Sequence, residues 1–176
     1  MQNEKLKSHI RDVPDFPKPG IVFKDITTLL QNPEAFRETL QVLYDRYKGK
    51  GIEVVVAIEA RGFVIGGALA QMLGAGFVPV RKVGKLPYET HKMEYELEYG
   101  TDTLEIHTDA VQKGQKVLVV DDLLATGGTL AATCKLVEML GGEVVEAAVL
   151  IELSYLHGRD KLKGYDLFTM AVYESE

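Results

Sequence analysis

The sequence is poor in cysteine and has no long apolar run. Its one cysteine, Cys134, cannot form an internal disulfide, which is typical of a protein from a reducing compartment. No apolar segment approaches the roughly 20 residues of a membrane-spanning helix, and residues 1–7 lack the apolar core of a secretory signal. We therefore expect a soluble, cytoplasmic protein with no membrane partner.

Other missing features exclude further classes of partner. The four histidines are scattered, and none stands at zinc-ligand spacing, so we expect no metal held by the protein alone. The net charge of −6 argues against nucleic acid as a partner, because neutralising a phosphate backbone needs a broad basic surface. Neither G-x-x-x-x-G-K-S/T nor G-x-G-x-x-G occurs, which excludes the Walker A loop and the dinucleotide fingerprint.

The pattern that is present is that of an α/β domain. With 46% hydrophobic and 26% charged residues, the chain of 176 residues fits one globular domain, residues 1–176. Short apolar, β-branched runs predict buried strands over 52–58, 77–80, 116–120 and 143–150. Helical spacing predicts helices over 32–47, 64–73 and 129–140. This order predicts an open, mainly parallel twisted sheet with helices on both faces and with ligands at the carboxyl ends of its strands.

Two segments do not fit this alternation. Residues 12–28 hold three of the six prolines, which predicts an irregular N-terminal cap, within residues 1–30, that is neither strand nor helix. Residues 82–103 are charged and contain glycine and tyrosine, which predicts a long loop or loose hairpin. Loops of this length in compact domains are usually functional or disordered.

The strongest chemical signal runs from Val117 to Thr129 (VLVVDDLLATGGT). A buried strand delivers two carboxylates, Asp121 and Asp122, and a loop of small residues then opens a helix. The amides and dipole of a helix start favour an anion, and glycine lets the backbone approach it closely. The adjacent carboxylates suit the vicinal hydroxyls of a ribose. The alternative is two acids that end a strand before a glycine turn, but the complete strand–loop–helix pattern favours a ribose phosphate site.

This segment resembles the phosphoribosyl pyrophosphate motif of type I phosphoribosyltransferases. Residues 16–26 (FPKPGIVFKDI) and 59–63 (EARGF) are similar to those of the adenine-specific members of that family. The resemblance implies a type I phosphoribosyltransferase-like fold and transfer of the phosphoribosyl group to adenine, giving AMP and pyrophosphate in purine salvage. It also implies a homodimer and Mg²⁺ bound with the phosphoribosyl pyrophosphate, with Asp121 and Asp122 as candidates to help orient the ion.

The resemblance assigns a role to each site segment. The phosphate and ribose residues are Asp121, Asp122, Ala125, Thr126, Gly127, Gly128 and Thr129. The pyrophosphate residues are Glu59, Ala60, Arg61, Arg81, Lys82 and Lys85, with an unusual cis peptide often present in the loop 59–62. The adenine residues are Val22, Phe23 and Lys24, where the ring of Phe23 stacks on the base. The resemblance also makes residues 82–103 a mobile flap, in which Glu98 is the catalytic acid/base and Tyr99 helps to seal the site.

Several of these assignments have alternatives that the residues alone leave open. In these alternatives Arg61 pairs with a nearby acid, and Arg81, Lys82 and Lys85 form a solvated basic turn. Phe23 in turn seals the cap onto the core. Glu98 is one acid of several in its segment, beside Glu89, Glu94, Glu96 and Asp102. At the level of function, the alternatives are transfer to xanthine, guanine or a pyrimidine, a purine-responsive regulator, and a binding module without catalysis.

Overall fold

The computed structural model of the protein describes residues 3–96 and 100–175. The α-helices within these residues are α1 (Asn3–Lys7), α2 (Thr27–Gln31), α3 (Pro33–Tyr47), α4 (Arg61–Leu73) and α5 (Gly128–Met139). The strands are β1 (Arg11–Val13), β2 (Phe23–Asp25), β3 (Val54–Ile58), β4 (Gly76–Lys82), β5 (Thr90–Glu96), β6 (Thr101–His107), β7 (Lys116–Leu124), β8 (Glu143–Leu153) and β9 (Leu167–Tyr173). Two short 3₁₀ helices, Ser154–Leu156 and Gly158–Leu162, connect β8 to β9.

A seven-stranded sheet organises the chain, in the order β5-β6-β4-β3-β7-β8-β9. Five adjacent strands of this sheet, β4, β3, β7, β8 and β9, run parallel to one another. Strand β6 is antiparallel to both β4 and β5. Because β3 is the central strand, its side chains alternate between two cores: Val55 and Ala57 pack with α3 and α4, and Val54, Val56 and Ile58 pack with α5. The predicted mainly parallel sheet with helices on both faces is confirmed.

The main helices begin and end for local reasons. The side chain of Asn32 accepts hydrogen bonds from the amides of Glu34 and Ala35, both at 3.1 Å, and so caps α3. Helix α4 ends before Gly74, whose φ of 67° is the left-handed conformation that glycine adopts readily. However, α4 begins at Arg61, so the end of the predicted loop 59–62 is already its first turn. The carboxyl end of β3 is therefore joined to α4 by a very short connection.

The prediction that residues 12–28 are neither strand nor helix is wrong. β1 pairs antiparallel with β2, with Arg11 opposite Asp25 and Val13 opposite Phe23, and α2 starts at Thr27. The prolines lie between the two strands, where they remove no hydrogen bond from the ladder. The N-terminal cap is thus built around a small hairpin that fixes the position of Phe23.

The described part of residues 82–103 is not one long loop either. It contains the end of β4 and most of a regular hairpin, in which Thr90 lies opposite His107 and Glu96 lies opposite Thr101. Since β6 also pairs with β4, the hairpin belongs to the main sheet. The loose-hairpin interpretation was thus nearer than the loop. The alternation of charged and apolar residues in 92–96 is the pattern of a half-buried strand, but the high charge of the segment concealed it. Strand β9 was missed altogether.

Candidate functional site

A cavity of about 320 Å³ lies at the carboxyl edge of the sheet, where β3, β4 and β7 end. Parallel strands open their ligand sites at this edge, because the loops that follow them converge there. The side chains and backbone that line the cavity come from all the main predicted site segments and from the base of the hairpin: Glu59, Ala60, Arg61, Lys82, Tyr95, Asp102, Asp121, Asp122, Ala125, Thr126, Gly127 and Thr129 are among them. The structure thus brings most of the predicted phosphate and pyrophosphate residues together.

The two neighbouring acids lie inside β7, which continues beyond the predicted end at residue 120 to Leu124. Asp122 Oδ2 accepts a hydrogen bond from Arg61 Nε at 2.5 Å, and Asp121 Oδ1 accepts one from the Asp122 amide at 2.8 Å. Burial and the neighbouring charge of Asp122 raise the pKa of Asp121 well above its usual value, against the opposing effect of Arg61. Arg61 therefore does pair with an acid, as the alternative interpretation held, but this acid is itself a predicted site residue.

The loop from Ala125 to Thr129 leads from β7 into α5. Gly127 has a φ of 80°, which an L-residue with a side chain rarely adopts, and its carbonyl oxygen accepts the first hydrogen bond of the helix, from the Ala131 amide at 3.0 Å. A Cβ on Gly128 would lie 2.8 Å from the carbonyl oxygen of Glu96, so the hairpin packs directly on this residue. Because the first amides of α5 have no partner one turn earlier, this loop suits an anion.

Glu59 contacts the cationic side chains at the end of β4 and in the turn after it. Its Oε2 accepts hydrogen bonds from Arg81 at 3.1 and 3.2 Å and from Lys85 Nζ at 3.0 Å, and its Oε1 accepts one from the Lys82 amide at 2.7 Å. Burial opposes ionisation, but the Lys82 amide and the two cations hold the pKa of Glu59 below its usual value. The peptide bond between Glu59 and Ala60 is cis, as the resemblance implied. Glu59 therefore binds and positions the cationic side chains of Arg81 and Lys85.

Lys82 reaches a different acid. Its Nζ lies 2.8 Å from Asp102 Oδ2, and the hydroxyl of Tyr95 lies 3.4 Å from the same oxygen. Asp102 and Tyr95 stand opposite each other on β6 and β5, so the base of the hairpin is linked to the cation-rich edge. All three side chains line the cavity.

The N-terminal cap places Phe23 against the same edge, since its ring centroid lies 5.2 Å from the Arg61 guanidinium carbon. The neighbouring Lys24 is buried, with its Nζ 2.9 Å from Asp12 Oδ1 and 4.5 Å from the centroid of the Tyr173 ring. The ammonium group of Lys24 is thus engaged by an acid of β1 and by a tyrosine ring of β9. Val22 is half-buried beside Phe23. Glu98 and Tyr99 lie outside the described residues.

Glu105 and Tyr95 were not among the predicted site residues, and Asp102 was named only as one of the acids beside Glu98. Glu105 alternates with Leu104 and Ile106 on β6, a pattern that indicates a solvent-facing acid, yet it is only 2% exposed. Its partners come from the turn after β4, which no local pattern identifies. For Tyr95 and Asp102 the available signal was the hairpin register, which places them opposite each other once the strands are recognised.

Comparison with known proteins places these features in a family. The family model of the phosphoribosyl transferase domain matches residues 25–172. The adenine phosphoribosyltransferase of Thermotoga sp. (strain RQ2) is 60% identical over 168 residues, which cover 96% of this chain and 99% of that protein. The crystal structure of the enzyme from Thermoanaerobacter pseudethanolicus has 55% identity and a TM-score of 0.94, covering 98% of this chain and 100% of that one.

A second similar structure carries ligands. It is the adenine phosphoribosyltransferase of Saccharomyces cerevisiae complexed with an imino-altritol bisphosphate and adenine, with 41% identity and a TM-score of 0.90, covering 96% of this chain and 97% of that one. The matches extend over nearly the whole chain and agree in both sequence and fold. The chain therefore belongs to the adenine phosphoribosyltransferase family.

Proposed function

We propose that the protein transfers the 5-phosphoribosyl group from phosphoribosyl pyrophosphate to adenine, giving AMP and pyrophosphate in purine salvage. One observation carries the proposal: a single cavity is lined both by the acid pair Asp121–Asp122 with residues of the loop 125–129 and by Glu59, Arg61 and Lys82. Glu59 in turn contacts the neighbouring cations Arg81 and Lys85. The acid pair and the loop suit a ribose phosphate, and the cations suit a pyrophosphate. The family of the chain supplies the choice of base.

The substrate is positioned by charge and by backbone geometry. The 5-phosphate lies on the amides of Ala125–Thr129 at the start of α5, and the ribose hydroxyls donate to Asp121 and Asp122. The pyrophosphate lies against Arg61, Arg81, Lys82 and Lys85, beside the connection Glu59–Ala60. Lys82 and Lys85 now contact Asp102 and Glu59, and they exchange these carboxylates for phosphate oxygens when the substrate binds.

The transfer breaks the bond from C1′ to the pyrophosphate oxygen, whose electron pair leaves with pyrophosphate. The ribose acquires oxocarbenium character, and N9 of adenine then forms the new bond to C1′. Arg61 and the other cations stabilise the charge that develops on the leaving group, so catalysis rests on electrostatics and position. Glu98 takes up the proton of the purine imidazole edge, and Tyr99 shields the site from water.

Magnesium is the proposed metal ion. No cluster of three or more metal-ligating side chains is found within the part of the chain that the structure describes. Two adjacent carboxylates, Asp121 and Asp122, fit an ion that takes most of its oxygen ligands from the substrate and from water. When bound, Mg²⁺ neutralises charge on the pyrophosphate.

Adenine is recognised by the cap. The ring of Phe23 stacks on the base, and the backbone groups of Val22 and Lys24 read its edge. The contact between Phe23 and Arg61 supports this placement, because it brings the cap beside the pyrophosphate residues. The engagement of the Lys24 ammonium by Asp12 supports recognition through the backbone.

We further propose a cytoplasmic homodimer. Val64 on α4 and Phe77 on β4 are 46% and 39% exposed, and Phe77 packs edge-on against Phe63, so a small apolar surface is available to a second copy. Cys134 is buried and free, which suits a reducing compartment. No helix within the described ranges has the length and apolar character needed to cross a bilayer.

The test is release of pyrophosphate from phosphoribosyl pyrophosphate in the presence of Mg²⁺, with adenine, hypoxanthine, guanine, xanthine and orotate in parallel. Release with adenine alone is the expected result. Release with another base instead would keep the reaction class and reject the adenine assignment. Binding of phosphoribosyl pyrophosphate without release in any reaction would favour a sensor or a binding module.

A further inference from the structure

A buried carboxylate holds the turn that follows β4. Glu105 Oε1 accepts hydrogen bonds from three successive amides, those of Gly84 at 2.9 Å, Lys85 at 3.1 Å and Leu86 at 3.1 Å. Its Oε2 accepts a fourth, from the hydroxyl of Thr90 at 3.2 Å. Glu105 is 2% exposed, so these contacts are made almost entirely out of water.

Three successive amides that point to one place form an anion-binding concavity of the kind that binds phosphate in other proteins. Here a carboxylate of the chain itself occupies it. Gly84 makes the concavity possible, since its φ of 86° turns its amide toward the same point as the next two. Burial opposes ionisation of Glu105, but the Leu86 and Lys85 amides outweigh it and hold the pKa of Glu105 below its usual value. The turn is thus tied to an ionised group.

The turn carries Lys85, which is fixed at three points. Its amide donates to Glu105, its carbonyl oxygen accepts from Arg81 Nη1 at 3.2 Å, and its Nζ contacts Glu59 Oε2 at 3.0 Å. Arg81 lies directly opposite Glu105 in the pairing of β4 with β6. A shift of the turn therefore moves the Lys85 ammonium and removes a partner of the Arg81 guanidinium.

We infer that Glu105 is a positioning residue for the pyrophosphate cations: it fixes the turn 84–86 so that Lys85 and Arg81 face the substrate. This inference rests on the proposed function, because it takes Lys85 and Arg81 as pyrophosphate ligands. Glu105 acts through these cations and contacts neither adenine nor the ribose. Its loss therefore weakens the use of phosphoribosyl pyrophosphate and leaves the use of adenine nearly unchanged.

The first experiment replaces Glu105 by glutamine, which keeps the shape of the side chain and removes its charge. Hydrogen bonds to a charged acceptor are the stronger ones, so we expect Glu105→Gln to raise the KM for phosphoribosyl pyrophosphate roughly tenfold. The KM for adenine and kcat should stay within about twofold of the wild type. Calorimetric titration of the protein with phosphoribosyl pyrophosphate and Mg²⁺ measures the same effect without catalysis.

Glu146→Gln is the matched control. Glu146 is also a buried glutamate, 5% exposed, and it accepts hydrogen bonds from Arg46 and Lys50 outside the cavity. Both variants should unfold at a lower temperature than the wild type, because each weakens a buried charged contact. Only Glu105→Gln should change the KM for phosphoribosyl pyrophosphate. An equal change in both variants would show a general loss of stability and overturn the inference.

A double-mutant cycle with Lys85→Ala tests the route of the effect. If Glu105 acts through Lys85, the KM of the double variant rises by less than the product of the two single increases. A full product, or a Glu105→Gln variant with wild-type KM, would overturn the inference. If Glu105→Gln does not fold, Thr90→Val removes the fourth hydrogen bond alone, and the inference then requires a rise of about twofold in the same KM.

Failure of the proposed function would be visible elsewhere. The wild type would then release no pyrophosphate with adenine, whatever the Glu105 variant does. If another base is the acceptor, the cycle is measured with that base, since the pyrophosphate contacts are the same. An active wild type with an unaffected Glu105→Gln variant would reject the inference and leave the function standing.

Discussion

Gly127 and Gly158 meet backbone to backbone at the loop from Ala125 to Thr129. A Cβ on Gly127 would lie 2.2 Å from the carbonyl oxygen of Gly158, and a Cβ on Gly158 would lie 2.2 Å from the carbonyl oxygen of Ala125. Arg159, the residue after Gly158, donates two hydrogen bonds to Glu152 at 2.6 and 2.7 Å and so anchors the segment that contains Gly158. The shape of the loop is thus set in part by a segment far from it in sequence.

Replacing Gly158 by alanine should displace this loop. The new methyl group has no space, so either the segment 158–162 or the loop 125–129 must move. We expect kcat/KM for phosphoribosyl pyrophosphate to fall by more than about tenfold and the free energy of unfolding to fall by about 1–3 kcal/mol. Steady-state kinetics and urea unfolding measure the two effects.

Leu43→Ala is the control for stability. Leu43 lies on the buried face of α3, away from the cavity, and its truncation lowers the free energy of unfolding by about 2–5 kcal/mol. At a temperature where both variants are folded, Leu43→Ala should keep the wild-type kcat/KM. A Gly158→Ala variant with undiminished kcat/KM would mean that the loop does not depend on the contact.

Asp122→Asn should keep the fold and remove most of the turnover. The variant preserves size but removes the negative charge that Arg61 contacts, so the guanidinium loses its fixed partner. Under the proposed function, the ribose loses its acceptor as well. We expect kcat/KM to fall by about 100-fold or more, with an unfolding temperature within a few degrees of the wild type. Circular dichroism and pyrophosphate release are the measurements. An unchanged kcat/KM would contradict the role given to Asp122.

The sequence allowed the interior of the sheet to be predicted, because strands such as β3 are buried on both faces and read as continuous apolar runs. It did not allow β5 and β6 to be recognised as strands, since their exposed faces carry charged residues and their pairing is set by the register between them. The same holds for β1 and β2, where the prolines of the connection obscured two short segments that contain none.

Within the candidate site, the loop 125–129 could be singled out from the sequence because its residues are contiguous and each type has a local use. The contacts between Glu59 and the cations could not be predicted in this way. Glu59 and Arg81 are 22 residues apart, and only the parallel pairing of β3 and β4 brings their ends together. Likewise, the burial of Glu105 depends on a turn that folds back over β6, and the alternation of Glu105 with apolar neighbours does not reveal that turn.

The cap should lose stability at acid pH through Asp25. A hydrogen bond from the Thr27 amide lowers the pKa of Asp25 to about 2, against the opposing effect of burial and with help from Arg11. Since the folded-state pKa lies below the ordinary 3.8, the stabilisation is fully present above about pH 4 and is lost as the pH falls toward 2. It contributes on the order of 1 kcal/mol.

Urea unfolding of the wild type and of Asp25→Asn between pH 2 and pH 5 isolates this contribution. The other acids titrate equally in both proteins, so the difference in unfolding free energy reports Asp25 alone. That difference should favour the wild type at pH 5 and shrink toward pH 2. A difference that stays constant over this range would show that the charge of Asp25 does not stabilise the cap.

Two neighbouring glycines of α4 should respond in opposite directions to alanine. A Cβ on Gly66 would lie 2.6 Å from the Cβ of Ala57, because α4 approaches β3 closely at that residue, whereas a Cβ on Gly67 would meet no atom within 4 Å. Gly66→Ala should therefore lower the free energy of unfolding by about 1–3 kcal/mol. Gly67→Ala should raise it by about 0.5–1 kcal/mol, since alanine favours the helix. Urea unfolding of both variants at one fixed protein concentration checks the pair, and stabilisation by Gly66→Ala would mean that α4 can move away from the sheet at no cost.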